Sequence, residues 1–242
     1  MSDNLQPRGS DDTTLVQPMF TPIKRRSFFM YAGATAGATA LVLAGCSKDA
    51  VTPTSSAISL GSGDVGVLNY AYALEQLEAA FYAQVVKTPA GDFQTGELAY
   101  FTEVAAHEAI HRDFFKAAIN RDAPGKLLQN LTPNFTSIDF TKRASVLSTA
   151  KTFEDLGVAA YNGAGKLIKT PAYLVIAGQI VSVEARHAAY IRDLLDTTGK
   201  AFAGDDQVDP ITGLDKAMMP MDVIVAAQAY IMEKLDASTV GK

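Results

Sequence analysis

The sequence predicts an all-α protein built as a four-helix bundle, with a long crossover between helices 2 and 3 and an additional C-terminal helix. Apolar residues recur at helical spacing through four long segments, and no segment has the alternating pattern of a half-buried strand. Two of the three histidines also close Glu-x-x-His pairs, Glu108–His111 and Glu184–His187. Residues three apart share a face of a helix, so each pair places a carboxylate beside an imidazole.

The first 45 residues are expected to be an export signal rather than part of the fold. Arg25 and Arg26 precede a run of Ala, Gly, Leu and Val that is too short to span a bilayer, which is typical of a signal-peptide core. A Leu-Ala-Gly-Cys sequence resembles a bacterial lipobox and predicts that Cys46 is lipidated. The twin arginines resemble the signal of an export route for folded proteins. Residues 46–63, rich in Ser, Thr, Ala and Gly, are predicted to be a flexible tether.

Composition narrows the functional classes. Cys46 is the only cysteine, so no intramolecular disulfide can form and no thiolate remains to bind a metal. The chain has 21 basic and 26 acidic residues, and this acidic balance without a basic cluster argues against nucleic-acid binding. We therefore expect a protein exported by the twin-arginine route and anchored to the membrane through Cys46. Its expected location is the bacterial cell envelope, either periplasmic or surface-facing.

The bundle domain is predicted to cover residues 64–198. Asp64 is a suitable N-cap for helix 1, and Pro171 is well placed to start helix 4. Residues 121–140 contain two prolines and a glycine with little periodicity, and their length fits a crossover along the bundle rather than a tight turn. The four helices are expected at 64–86, 97–120, 141–169 and 171–197.

The C-terminal extension is predicted to cover residues 199–242. Its first part, to about residue 216, contains Gly, Asp and Pro without periodicity and is expected to be irregular. Residues 220–235 are largely apolar, so we expect a fifth helix there that packs on the outside of the bundle.

Each half of the predicted bundle repeats one order of residues, with a Glu on its first helix and Glu-x-x-His on its second. Thirty-three residues separate Glu75 from Glu108, and 30 separate Glu154 from Glu184. In two antiparallel helices joined by a loop, such spacing brings both positions to similar heights. Packing the two hairpins together therefore gathers four glutamates and two histidines at the middle of the bundle.

A bundle with an apolar core cannot bury four carboxylates and two imidazoles without compensation, because each isolated buried charge costs several kcal/mol. Two divalent or trivalent cations would compensate, and this mixture of ligands suits iron or manganese, and zinc less specifically. The sequence predicts two bound metals, with iron first and manganese as the alternative. The predicted bridging ligands are Glu108 and Glu184, the imidazole ligands His111 and His187, and the terminal ligands Glu75 and Glu154. A metal-free polar core held by hydrogen bonds is the competing interpretation.

Three neighbouring side chains leave details of this site open. Glu78 lies one turn after Glu75 and could replace it as the ligand of helix 1. We favour Glu75 because it pairs with the second half and has Tyr82 two turns later on the same side. His107 points about 100° away from Glu108, so it is interpreted as an interhelix histidine, with a base behind a ligand, or a metal ligand in an altered geometry, as the alternatives. Tyr82, Tyr161 and Tyr190 could hydrogen-bond ligands or relay an electron, and Tyr82 is the candidate catalytic side chain, although core tyrosines at this spacing are usually packing.

Four motifs in the bundle region carry a resemblance to a known family. They are LEQLEAAFY at 74–82, AHEAIH at 106–111, FEDLGVAAY at 153–161 and VEARHAAY at 183–190. With these motifs, residues 64–197 resemble the ferritin-like superfamily, and most closely its exported branch related to plant desiccation-related proteins. The resemblance implies a ferritin-like four-helix bundle. It implies no single activity, because this fold hosts iron storage, ferroxidation, peroxide breakdown and oxygenation.

Two functional hypotheses follow from the predicted site and the resemblance. The first is a di-metal protein that oxidises Fe(II) or reduces peroxide or O2 and so protects the envelope from oxidative stress. A manganese pair would instead favour peroxide dismutation. The alternative is a non-catalytic ferritin-like stress or scaffold protein whose metal site is structural or absent. A lipid-tethered N terminus and a C-terminal extension favour a monomer or homodimer over a closed iron-storing cage.

Overall fold

The computed structural model describes residues 57–242. The predicted export signal, the predicted lipidation site at Cys46 and the first part of the predicted tether lie outside the described residues. Within 57–242, long helices dominate and the strands are two short ones, so the predicted all-α class is confirmed. None of the helices in this part of the chain combines the length and the apolar character that crossing a membrane requires.

Four long helices form the body of the domain, and a short fifth helix follows them. Two strands of two residues each, β1 (Ile58–Ser59) and β2 (Leu235–Asp236), pair in parallel near the two ends of the described chain. The helices are α1 (Gly63–Lys87), α2 (Glu97–Asp122), α3 (Arg143–Gly165), α4 (Pro171–Leu195) and α5 (Pro220–Ala227).

The N-cap predicted for the first helix is wrong. Ser62, not Asp64, precedes the first turn of α1. The Asp64 carboxylate instead accepts hydrogen bonds from the backbone N–H groups of Lys169 and Thr170, at 2.8 and 2.9 Å. It ties the connection between α3 and α4 to the start of α1. Residues 166–170 therefore form a turn, and α3 ends at Gly165 rather than at residue 169.

The fifth helix is also shorter than predicted, because it ends at Ala227 instead of continuing to residue 235. The side chain of Gln228 donates to the carbonyls of Ile231 and Glu233 and accepts from the N–H of Leu235. These bonds stabilise a turn that leads into β2. After Ala227 the chain forms a short 3-10 helix over Gln228–Tyr230, a turn and then the strand, instead of a continuing α-helix.

The domain begins earlier than the sequence predicts. Residues 46–63 are predicted to be a tether, but Ile58 pairs with Leu235 in the short sheet, and Leu60 is fully buried. The amide of Asn69 in α1 also donates to the Leu60 carbonyl at 3.2 Å. The last residues of the predicted tether therefore belong to the packed domain.

The crossover, residues 123–142, runs along α1 in the same direction as α1. The side chain of Asn69 accepts a hydrogen bond from the N–H of Leu128 at 2.9 Å, and two turns later Gln76 accepts one from Leu131 at 2.9 Å. The crossover covers a face of α1 that the other helices leave open. As a result α1 has 16 buried residues among its 25, whereas α4 has six among 25.

Candidate metal centre

Each of the four long helices places one or two ionisable side chains in the middle of the bundle. The carboxylates are fully buried, and His111 and His187 are 9% and 4% exposed. The structure thus brings together all six residues that the sequence places there, and we refer to them as the Glu/His cluster. Its members are Glu75 of α1, Glu108 and His111 of α2, Glu154 of α3, and Glu184 and His187 of α4.

The cluster divides into two overlapping groups. In each group, one potential ligand atom from every residue lies within 4.8 Å of those of the others. Glu108 and Glu184 belong to both groups, so each could contact two metal ions. The first group adds Glu75 and His111, and the second adds Glu154 and His187.

The shared glutamates each offer one oxygen to each histidine. The Nδ1 atom of His111 lies 2.9 Å from Oε1 of Glu184 and 3.3 Å from Oε2 of Glu108. The Nδ1 atom of His187 lies 3.0 Å from Oε1 of Glu108 and 3.9 Å from Oε2 of Glu184. The two oxygens of each shared carboxylate therefore face opposite groups, which is the arrangement that a bridging ligand requires.

The outer glutamates are held by tyrosines from the opposite half of the bundle. The hydroxyl of Tyr82 in α1 donates to Oε1 of Glu154 in α3 at 2.5 Å, and the hydroxyl of Tyr161 in α3 donates to Oε1 of Glu75. The later residue of α1 contacts the earlier residue of α3, and the earlier residue of α1 contacts the later residue of α3, so the two helices are antiparallel here. Each of these glutamates keeps Oε2 for the histidine of its own group, at 3.6 Å from His111 and 3.5 Å from His187.

Buried atoms without hydrogen-bond partners test whether a metal fits this cluster. Among residues 57–242, seven buried side-chain nitrogen or oxygen atoms lack a partner with suitable geometry, and six of them belong to the cluster. An unpaired buried polar atom is costly, so native structures contain few of them. The six atoms are Oε2 of Glu75, Oε1 of Glu108, Oε2 of Glu154, both oxygens of Glu184 and Nδ1 of His187. They are the atoms that would face a metal in each group, so the donor set fits.

Electrostatics inside the cluster are dominated by burial and by the two imidazoles. Burial and the nearby charge of Glu108 raise the pKa of Glu184 to about 8. Burial alone would raise the pKa of Glu108 too, but the adjacent imidazoles of His111 and His187 lower it to about 2. Burial opposes protonation of both imidazoles, yet the carboxylates raise the pKa of His111 to about 12 and that of His187 to about 10. Protons on the imidazoles offset carboxylate charge, a role that a bound cation would take over.

A buried carboxylate outside the cluster shows how this protein compensates a structural charge. Glu97, at the start of α2, is 2% exposed and receives hydrogen bonds from the Nε and Nη2 atoms of Arg143. The same guanidinium donates to the carbonyl of Leu194 at 3.1 Å. The Glu/His cluster has no arginine or lysine partner within the described residues. Its carboxylates are therefore left for a different cation, which separates them from a structural ion pair.

Glu75, rather than Glu78, is the α1 residue that joins the cluster. Glu78 is nevertheless 4% exposed, and burial together with the charge of Glu184 raises its pKa well above the usual value. Gly157 of α3 makes room for it, because a Cβ atom there would lie 3.1 Å from Oε1 of Glu78. The sequence interpretation missed this role of Gly157. Comparison of the two halves would have indicated it, since Gly157 follows Glu154 by the same three residues that separate Glu78 from Glu75.

His107 lies outside the cluster but contacts it. Its Nδ1 atom is 3.0 Å from Nε2 of His187, and the two rings stack with centroids 5.2 Å apart. His107 therefore lies between α2 and α4, as the sequence interpretation expects.

Tyr161 makes a contact equivalent to that of Tyr82. The internal repeat indicates this equivalence in the sequence, because each tyrosine follows the cluster glutamate of its own helix by seven residues.

Comparison with known proteins agrees with this architecture. A family model described as the ferritin-like domain matches residues 63–197, which is more than half of the chain and includes all six residues of the Glu/His cluster. No curated protein matches the sequence.

Proposed function

Because the chain belongs to the ferritin-like domain family, we propose that it is a di-metal protein that oxidises Fe(II) or reduces peroxide or O2. The observation that carries the proposal is the pair of shared carboxylates, Glu108 and Glu184, whose two oxygens face the two groups of the cluster. Iron is the proposed metal and manganese the alternative, because both accept mixed carboxylate and imidazole ligands. The predicted export signal and the predicted lipid on Cys46 would place this activity in the bacterial cell envelope, as protection against oxidative stress.

The residues of each group would hold one metal. Glu75 and His111 would bind the first, Glu154 and His187 the second, and the shared glutamates both. A bound pair of iron or manganese ions would supply one-electron redox changes at two adjacent positions. With peroxide as the oxidant, its reduction to two waters would take two electrons, one from each metal, and two protons.

The chain's own contribution is to orient the ligands and to keep water away from them. Tyr82 and Tyr161 each occupy one oxygen of an outer glutamate, which leaves the other oxygen to bind. Burial raises the pKa of both hydroxyls well above the usual value, since a buried phenolate beside a carboxylate is disfavoured. Both tyrosines therefore stay protonated and donate to the outer glutamates, which supports a role in positioning those ligands. A direct catalytic role for Tyr82 remains a separate proposal.

Metal content is the first test of this function. The full chain is purified without a chelator or an immobilised metal, and its iron and manganese are measured by mass spectrometry. Fe(II) is then added without oxygen, followed by peroxide or O2, and its oxidation is recorded. We expect about two metals per chain and oxidation faster than in buffer. Glu108→Ala should lose both, because Glu108 contributes to both groups.

A matched control keeps the interpretation specific. Glu103→Ala removes an exposed carboxylate from the same helix and should leave metal content and oxidation unchanged. A wild-type protein that takes up no metal would contradict the proposal. Two tightly bound metals without any oxidation would favour the alternative, a ferritin-like stress or scaffold protein with a structural metal site.

A further inference from the structure

The two histidines of the Glu/His cluster differ in what lies behind them. His187 has His107 at its far side, with Nδ1 of His107 3.0 Å from Nε2 of His187 and the ring planes only 8° apart. Within residues 57–242, no side chain hydrogen-bonds Nε2 of His111. In α4, Val183 stands where His107 stands in α2, directly before the Glu-x-x-His pair. The imidazole partner is therefore present on one side of the cluster only.

The contact fixes the proton of His187. Its Nδ1 atom faces the carboxylates, 3.0 Å from Glu108 and 3.5 Å from Glu154. A histidine that binds a metal through Nδ1 carries its remaining proton on Nε2, and a hydrogen-bond acceptor at that position fixes the tautomer and the ring orientation. Nδ1 of His107 is such an acceptor when the proton of His107 is on its own Nε2, on the exposed side of the ring.

The surrounding residues hold this contact in place. The hydroxyl of Tyr100, two turns before His107, donates to the backbone carbonyl of His187 at 3.1 Å. The Tyr100 ring also packs against Tyr190, with centroids 4.4 Å apart. These two contacts of Tyr100 hold α2 against α4 on one side of the imidazole pair. The pair is therefore part of a packed seam and not a chance approach of two surface side chains.

We propose that His107 is a positioning residue that holds His187 for metal binding, so that the metal position of Glu154 and His187 depends on His107 while that of Glu75 and His111 does not. The inference rests on the proposed di-metal function. Loss of a partner that orients a metal-bound histidine typically lowers metal affinity about 10–100-fold. We expect a loss of that size at one position only.

Binding of Co2+ to the full-length protein tests the proposal without depending on activity. Calorimetric titration of the metal-free protein gives the two affinities, and anomalous scattering from crystals at limiting Co2+ gives the occupancy of each position. His107→Leu removes the acceptor and should lower affinity about 10–100-fold at the His187 position. His107→Asn should restore most of it, because the Asn oxygen occupies about the same place as Nδ1.

Glu103→Gln is the matched control, since it changes an exposed side chain one turn before His107 and leaves the imidazole pair intact. It should bind Co2+ as the wild type does. Equal weakening of both positions in His107→Leu, unchanged binding, or failure of His107→Asn to restore it would each overturn the role of His107. Absence of Co2+ binding in the wild type would overturn the di-metal function itself, so the two failures are distinguishable.

Discussion

The helix pair α1–α2 and the helix pair α3–α4 can be aligned residue by residue through the cluster. Tyr82 follows Glu75, and Tyr161 follows Glu154, by seven residues. Each tyrosine hydrogen-bonds the glutamate of the other helix pair. The pairs differ next to these positions. Glu78 in α1 corresponds to Gly157 in α3, and His107 in α2 corresponds to Val183 in α4. The repeat therefore preserves the proposed ligands and their tyrosines, while the residues beside them have diverged.

The residues directly after Glu75 and Glu154 each attach an irregular segment to the bundle, but through different kinds of contact. In the first half, Gln76 binds the backbone of the crossover through neutral hydrogen bonds. In the second half, Asp155 binds Arg192, which also binds Asp206 in the C-terminal extension. Each half thus secures the irregular segment that follows it. The comparison indicates that the bundle needs both segments to complete its packing.

The largest expected effect comes from removing these two attachments separately, the ion pairs of Arg192 and the hydrogen bonds of Gln76. Arg192 is 3% exposed, so Arg192→Leu leaves Asp155 partly buried without its cation and should lower the free energy of unfolding by about 3 kcal/mol. Gln76→Leu loses only neutral hydrogen bonds and should cost about 1 kcal/mol. Urea unfolding measures both. The control is Arg186→Leu, an exposed arginine of the same helix, for which we expect a change within about 0.5 kcal/mol. Equal losses at Arg192 and Gln76 would contradict the contrast between the halves.

The sequence predicts the four-helix bundle well because each helix has an apolar stripe at helical spacing. Its errors lie where side-chain hydrogen bonds or tertiary contacts decide the structure. The turn after the fifth helix depends on which backbone groups the Gln228 side chain reaches, three to seven residues along the chain. Leu60 is buried where its N–H bonds the carbonyl of Asp236, which is distant in sequence. The sequence predicts that one face of α1 is buried, whereas 16 of its 25 residues are buried in the structure because the crossover covers another face. Such coverage depends on where a loop runs, which periodicity cannot indicate.

The six-residue cluster follows from the sequence because similar spacing in two helical hairpins brings the cluster residues to similar heights in the bundle. The details around it do not follow in the same way. Which oxygen of Glu154 is held by Tyr82, and which faces His187, depends on rotamers. The space that Gly157 leaves for Glu78 is a packing contact between α1 and α3. These features need the interhelix distances that only the structure supplies.

A second effect separates the two shared carboxylates. In the metal-free protein Glu184 has a pKa raised from 4.5 to about 8, whereas the pKa of Glu108 is lowered to about 2. A raised carboxyl pKa stabilises the fold below the unfolded value, and this stability is lost as the pH rises through the folded value. His187, raised from 6.5 to about 10, changes stability in the same direction. The free energy of unfolding should therefore fall between pH 5 and 9, by a few kcal/mol since one pKa unit is about 1.4 kcal/mol.

The variants Glu184→Gln and Glu108→Gln distinguish the two shared carboxylates. Glu184→Gln removes a group that titrates in this range and should flatten the pH dependence of unfolding in chelator-treated protein. Glu108→Gln removes a carboxylate that stays ionised above pH 5 and that raises the pKa values of Glu184 and His187, so it should lower stability and move the pH dependence to lower pH. Bound metal displaces the protons, so loaded wild-type protein should show a flatter curve than chelator-treated protein. A rise in stability from pH 5 to 9 would contradict the raised pKa values of Glu184 and His187.

The smallest expected effect concerns the position where Glu78 meets Gly157. Replacing a glycine inside a helix by alanine stabilises the protein by about 1 kcal/mol when there is space. At Gly157 the new Cβ would lie 3.1 Å from the Glu78 carboxylate, so Gly157→Ala should gain little. The same change in a Glu78→Ala background should recover the gain, which urea unfolding of the double-mutant cycle measures. Gly178→Ala, in an open part of α4, is the control that should gain in both backgrounds. If Gly157→Ala gains as much as Gly178→Ala while Glu78 is present, then the carboxylate has room to move, and the small residue in α3 is not what accommodates the extra acid of α1.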